Sequence, residues 1–88
     1  MATLQFPRIH LNGTSGQTLF DEYEQALSYV RTAIKVMGQI TVNGRDYYPI
    51  SADATGIAIA EHRSRLDRLT AVAAELEEIL TNISEQVH

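Results

Sequence analysis

The sequence predicts a mainly α-helical protein: an antiparallel helical hairpin with a short N-terminal strand and a small β-ribbon in the connection. Three observations predict it. Apolar positions recur every three or four residues through Ile59, His62, Leu66, Leu69, Ala73, Leu76, Leu80, Ile83 and Val87. A second seam of the same spacing runs Phe20, Tyr23, Leu27, Val30, Ile34, Met37. Between the two, Gly38 and Asn43-Gly44 interrupt the helical pattern.

Residues 3–12 are expected to form an extended arm. Leu4 and Phe6 share one parity, and Ile9 and Leu11 alternate with Arg8, His10 and Asn12. Pro7 cannot donate to a ladder, which makes this segment an edge strand or a strap over an apolar groove. Asn12-Gly13-Thr14-Ser15-Gly16 then reads as a loop opening a helix. Thr14 or Ser15 is the expected N-cap, since a hydroxyl there accepts from the free N–H groups of the first turn. Helix one is placed at 16–37, with Arg31 and Lys35 near its end and Gly38 as its C-cap.

The connection is 39–52. Ile40, Thr41 and Val42 favour a strand, Asn43-Gly44 is a strong hairpin-turn dipeptide, and Arg45-Asp46-Tyr47-Tyr48 could return as far as Pro49. Ser51, Asp53 or Thr55 is expected to cap helix two, placed at 54–87. Gly56 sits in its first turn as a point of fraying. Helix two outruns helix one by about three turns. The overhang is expected near Leu80, Ile83 and Val87, covered by the arm or by another subunit. That exposure, with Leu19, Ala26 and Ala33 on the flank of helix one, predicts a homo-oligomer.

A chain of 88 residues has room for one domain, 1–88, and a small core. It contains no cysteine, so disulfides and thiolate metal sites are excluded. The net charge of -4 and a pI near 5.2 argue against nucleic acid as a partner. No apolar run approaches the roughly 20 residues of a membrane span, and the first ten residues lack the apolar core of a signal peptide. No membrane partner is expected.

No catalytic signature stands out. His10, His62 and His88 lack metal-ligand spacing, and His62 falls on a helix seam, where a half-buried structural histidine is expected. Ser15 has no histidine or lysine at an activating spacing. Glu77-Glu78 reads as a solvated face. The expectation is a non-enzymatic protein with no cofactor and no metal. Two polar clusters are the candidate ligand-binding residues. The first is Arg8, His10, Asn12, Thr14 and Ser15, where a glycine-containing loop opens a helix and offers free N–H groups to an anion. The second is Arg45, Tyr47 and Tyr48: a guanidinium suited to phosphate or carboxylate, beside rings that can stack on a base. Each also has a plain structural reading, as a helix cap and as a turn with two aromatics.

The stretches Arg8-Ile9-His10-Leu11-Asn12-Gly13-Thr14-Ser15, Gly44-Arg45-Asp46-Tyr47-Tyr48-Pro49 and Ala60-Glu61-His62-Arg63-Ser64-Arg65-Leu66 resemble a family of small tailed-bacteriophage proteins, in the same order over nearly the whole chain. Gln39-Ile40-Thr41-Val42 departs from that pattern by being more strand-like. The resemblance implies a soluble phage-encoded protein of the host cytoplasm. By analogy of class and size with phage sponges, it implies a binder that sequesters a small anionic ligand, a cyclic nucleotide or ADP-ribose derivative used in immune signalling. The alternative is a structural or protein–protein interaction module, a virion component or a host-protein inhibitor, acting through its helical faces. Because the two clusters bracket helix one, about 33 Å apart, one ligand can touch both only if two subunits pack head to tail.

Overall fold

The computed structural model describes residues 4–87. Helix α1 spans Gly16–Gly38 and helix α2 spans Ala54–Val87, within a residue of the predicted ranges. They pack against each other along their length. Gly16 lies against Val87, and Arg31 meets Glu77 at 3.1 Å. The low numbers of α1 therefore face the high numbers of α2, and the pair is antiparallel. We call the end that holds Gly16 and Val87 the open end, and the other the hinge end.

The seams meet as their spacing requires. Leu27, Ala73 and Leu80 form the buried cluster, with Phe20, Tyr23, Val30, Ile34 and Leu76 packed around it. Ile83 is completely buried, at 0% exposure. At the hinge end the seam of α2 is rotated slightly from the predicted one: Ala58 is buried, whereas Ile59 remains 41% exposed.

The ends of α1 follow local chemistry. Ser15 is the N-cap, and its Oγ accepts from the Thr18 N–H at 3.1 Å. Gly38 is not the C-cap. It is the last helical residue, and Gln39 follows in a right-handed conformation with its N–H donating to Val36 O. The left-handed turn that favours glycine after a helix is not used here, since no described glycine has positive φ.

The predicted β-ribbon does not form. A two-residue hairpin turn needs positive φ at Asn43 and Gly44, but Asn43 has φ -101°. The Asn43 side chain instead accepts from the Arg45 N–H at 2.9 Å and from Arg45 Nε at 3.3 Å. That local bonding caps a single 3-10 turn, Gly44–Asp46, and competes successfully with a ladder. Turns continue through 47–50, with the Ile50 N–H donating to Tyr47 O. Asp53 precedes α2 and its carbonyl accepts from the Ile57 N–H.

The predicted N-terminal strand is also absent among the described residues, while residue 3 of the predicted arm lies outside them. Residues 4–10 cross the end of α2 as an irregular strap. The Ile9 N–H donates to Gln86 Oε1 at 2.8 Å, and Gln86 Nε2 donates to Pro7 O at 2.7 Å. A side-chain amide thus replaces the neighbouring strand. Leu11, expected to share a face with Ile9, is 99% exposed in the following turn.

The overhang of α2 lies at the opposite end from the predicted one. Leu80 and Ile83 are buried and Val87 contacts Gly16, so the C-terminal end of α2 is flush with the start of α1. The extra 11 residues of α2 (34 against 23) extend past the hinge. There the 15-residue connection folds back, and Ile40 and Val42 line a groove with Ile59, His62 and Leu66. In an antiparallel pair, a long connection lets the longer helix extend on the hinge side, where that connection can cover it.

The result is a rod. Its extents are 61 × 25 × 18 Å and its radius of gyration is 18.6 Å, against about 12 Å for a compact chain of this length.

Candidate functional site

The two predicted polar clusters sit at opposite ends of the rod. Arg8, His10, Asn12, Thr14 and Ser15 lie in one exposed loop at the open end. Arg45, Tyr47 and Tyr48 lie in the turns at the hinge end. Helix α1, about 34 Å long, separates them.

At the open end two of the five residues, Ser15 and His10, make contacts within the loop. Ser15 Oγ accepts from the Thr18 N–H and donates to Thr18 Oγ1 at 2.8 Å, which uses the hydroxyl on both sides. The His10 ring packs against Gly13, where a Cβ would come within 2.7 Å of Nε2. The His10 carbonyl accepts from the Gly13 N–H at 3.2 Å, closing the turn. These contacts account for the loop's glycine and its cap without a ligand.

At the hinge end Tyr47 is half-buried and Tyr48 is 72% exposed. The Arg45 side chain is exposed, with Nε held by Asn43 Oδ1. His62, half-buried on the α2 seam as its position predicts, has a buried Nε2 with no hydrogen-bond partner. Among the described residues, no group of three or more His, Asp or Glu side chains could hold a metal ion. Among them, too, no helix is long and apolar enough to cross a membrane.

One surface feature is larger than either cluster. On α1 a second stripe runs beside the packed seam, Leu19, Glu22, Ala26, Tyr29, Ala33 and Val36, apolar at every position but Glu22, and Ile40 follows just past the helix end. Leu19 is half-buried and the rest are exposed, Tyr29 to 69% and Val36 to 55%. On α2, Val72 and Ile79 occupy the matching flank, Val72 at 41% exposure. The opposite flank is polar and carries the Arg31–Glu77 ion pair. The hairpin therefore has one polar side and one side on which apolar residues predominate, interrupted by Glu22 on α1 and by Arg68 and Glu75 on α2. Leu19, Ala26 and Ala33 mark that face in the sequence, but Tyr29 and Val36 do not stand out until the packed seam is known. The available signal was the 3–4 spacing 26, 29, 33, 36 running parallel to the core repeat.

Charge is divided along the rod. Residues 16–30 of α1 and 69–87 of α2 form the open half. They carry seven carboxylates (Asp21, Glu22, Glu24; Glu75, Glu77, Glu78, Glu85) and no lysine or arginine, although Arg8 of the arm lies at this end and Arg31, just past the boundary, pairs with Glu77. Residues 31–68 carry six cations against four carboxylates, a net +2. The basic group includes Arg65 and Arg68, which with Val72 and Met37 line a groove beside the apolar side.

No family model, curated protein or solved structure matches the chain.

Proposed function

We propose that this protein is a non-enzymatic interaction module that works by presenting one helical face to another protein surface. The observation that carries the reading is the apolar stripe of Tyr29, Ala33 and Val36 on α1, flanked by Val72 on α2, on a rod whose own core is small. Exposed aromatic and aliphatic side chains in one strip, with small alanines between them, are the chemistry of a helix-packing surface. The resemblance to tailed-phage proteins suggests a phage-encoded module, of the virion or acting on a host protein.

The test compares the wild-type chain with Ala33→Arg and Tyr29→Glu. Both positions are exposed in the single hairpin, so circular dichroism should show unchanged helicity. Specific association, with itself or with another protein, should weaken about tenfold or more, which is ~1.4 kcal/mol. Association that survives both substitutions at full strength refutes the reading.

The second reading is capture of a small anionic nucleotide-derived ligand. Its support is that the Tyr48 ring and the Arg45 side chain are both exposed in the same hinge turns, and it does not need the Arg8–Ser15 loop. Thermal shifts with a panel of cyclic dinucleotides and ADP-ribose derivatives test it. A ligand at 100 times its Kd adds roughly 2.7 kcal/mol, and Arg45→Ala should abolish the shift. No shift with any member of the panel removes this reading.

A further inference from the structure

We infer that the surface fitting this face is a second copy of the chain, docked antiparallel, so that each hinge end lies against the other's open end. The inference rests on the interaction-module reading and names its partner.

The first observation is area. The hairpin exposes 6756 Å². A compact monomer of 9.8 kDa exposes only about 5,200 Å². The excess, roughly 1,600 Å² per chain, is spread over the whole rod, and half of it would supply the ~800 Å² each partner contributes to a stable interface. The strip on α1 from Leu19 to Val36 is about 26 Å long, and Val72 and Ile79 widen it onto α2. That is the footprint of one hairpin on another, as in a four-helix bundle.

The second observation is charge. The open half of each rod carries seven carboxylates and no helical cation, and the hinge half carries a net +2. Two rods laid parallel would put acidic half on acidic half. Laid antiparallel about a two-fold axis near Tyr29, each acidic half meets Arg65 and Arg68 of the other copy. Like charges across an interface repel and opposite charges set its register, so the charge pattern selects the antiparallel arrangement. The alanines at 26 and 33 let the α1 backbones approach, and the Tyr29 rings fill the space beside them.

Sedimentation equilibrium at 50 mM and 500 mM salt, with spin-label distances, tests the inference. The wild-type chain should run at twice 9.8 kDa, and its dissociation constant should rise several-fold at the higher salt. Ala33→Arg should run as a folded monomer. The chain has no native cysteine, so single labels can be placed freely. Labels at Gln39→Cys on both copies should lie about 30 Å or more apart along the axis. A Gln17→Cys label on one copy and a Gln39→Cys label on the other should give the shorter distance. A wild-type chain that stays monomeric to millimolar concentration overturns the self-pairing alone, since other partners of the face are judged separately. A dimer that Ala33→Arg and Tyr29→Glu leave intact overturns both the pairing and the face. A dimer with the Gln39 labels close together keeps the face and overturns the antiparallel arrangement.

Discussion

Gln86 holds Ile9: the backbone N–H of Ile9 donates to Gln86 Oε1 at 2.8 Å, across 77 positions of sequence. The same amide donates to Pro7 O and to Asn82 Oδ1. One side chain thus does for the arm what a neighbouring strand would have done. Gln86→Ala removes both backbone bonds in a half-buried place. It should cost about 1–3 kcal/mol and free the arm, seen as faster hydrogen exchange at Ile9. Gln86→Glu is the sharper comparison. Its carboxylate can accept from Ile9 but cannot donate to Pro7, so it should recover only part of the loss. Exchange at Ile9 unchanged in Gln86→Ala would show that the arm is held some other way.

Among the described residues, Ile83 is the large side chain with no exposure at all. In sequence it lies between Gln86, the amide that holds the arm, and its side-chain partner Asn82. Ile83→Ala leaves a cavity there and should cost about 2–5 kcal/mol. For a chain of this size that is comparable to the whole folding free energy. Thermal denaturation followed by circular dichroism should show a much lower Tm or no folded baseline. Ile83→Val should retain a cooperative transition.

Two glycines make a matched pair. A Cβ at Gly16 would run into Val87 Cγ1, while a Cβ at Gly56 meets nothing within 4 Å. Gly56→Ala should therefore stabilise the protein by about 0.5–1 kcal/mol through helix propensity. Gly16→Ala should destabilise it, because the end of α2 must shift away from α1. Urea titration of both variants checks the opposite signs.

His62 carries a buried Nε2 without a partner. A buried polar atom left unpaired costs roughly 1–3 kcal/mol. His62→Leu puts a methyl group in the groove among Ile40, Val42 and Leu66. It should raise stability by about 1 kcal/mol, read as a higher urea midpoint at unchanged slope.

The two helices, most of both seams and a hydroxyl cap at Thr14 or Ser15 are legible in the sequence alone. These are local or periodic properties: a 3–4 repeat buries one stripe whatever lies opposite, and a serine hydroxyl satisfies the first turn from three residues away. Most of the remaining features depend on contacts between residues far apart in the chain. Ile40-Thr41-Val42 and Asn43-Gly44 carry the marks of a hairpin, but Asn43 bonds locally to Arg45 and the segment folds back over the hinge groove. Leu4–Ile9 carries the marks of a strand, yet its backbone partner is the side chain of Gln86, far along the chain. The exposed end of α2 was likewise outside local reach, because it depends on which residue of α1 faces Val87. So did the apolar face: Tyr29 and Val36 alternate with core positions in the sequence. Only the choice of which stripe α2 covers leaves them facing outward.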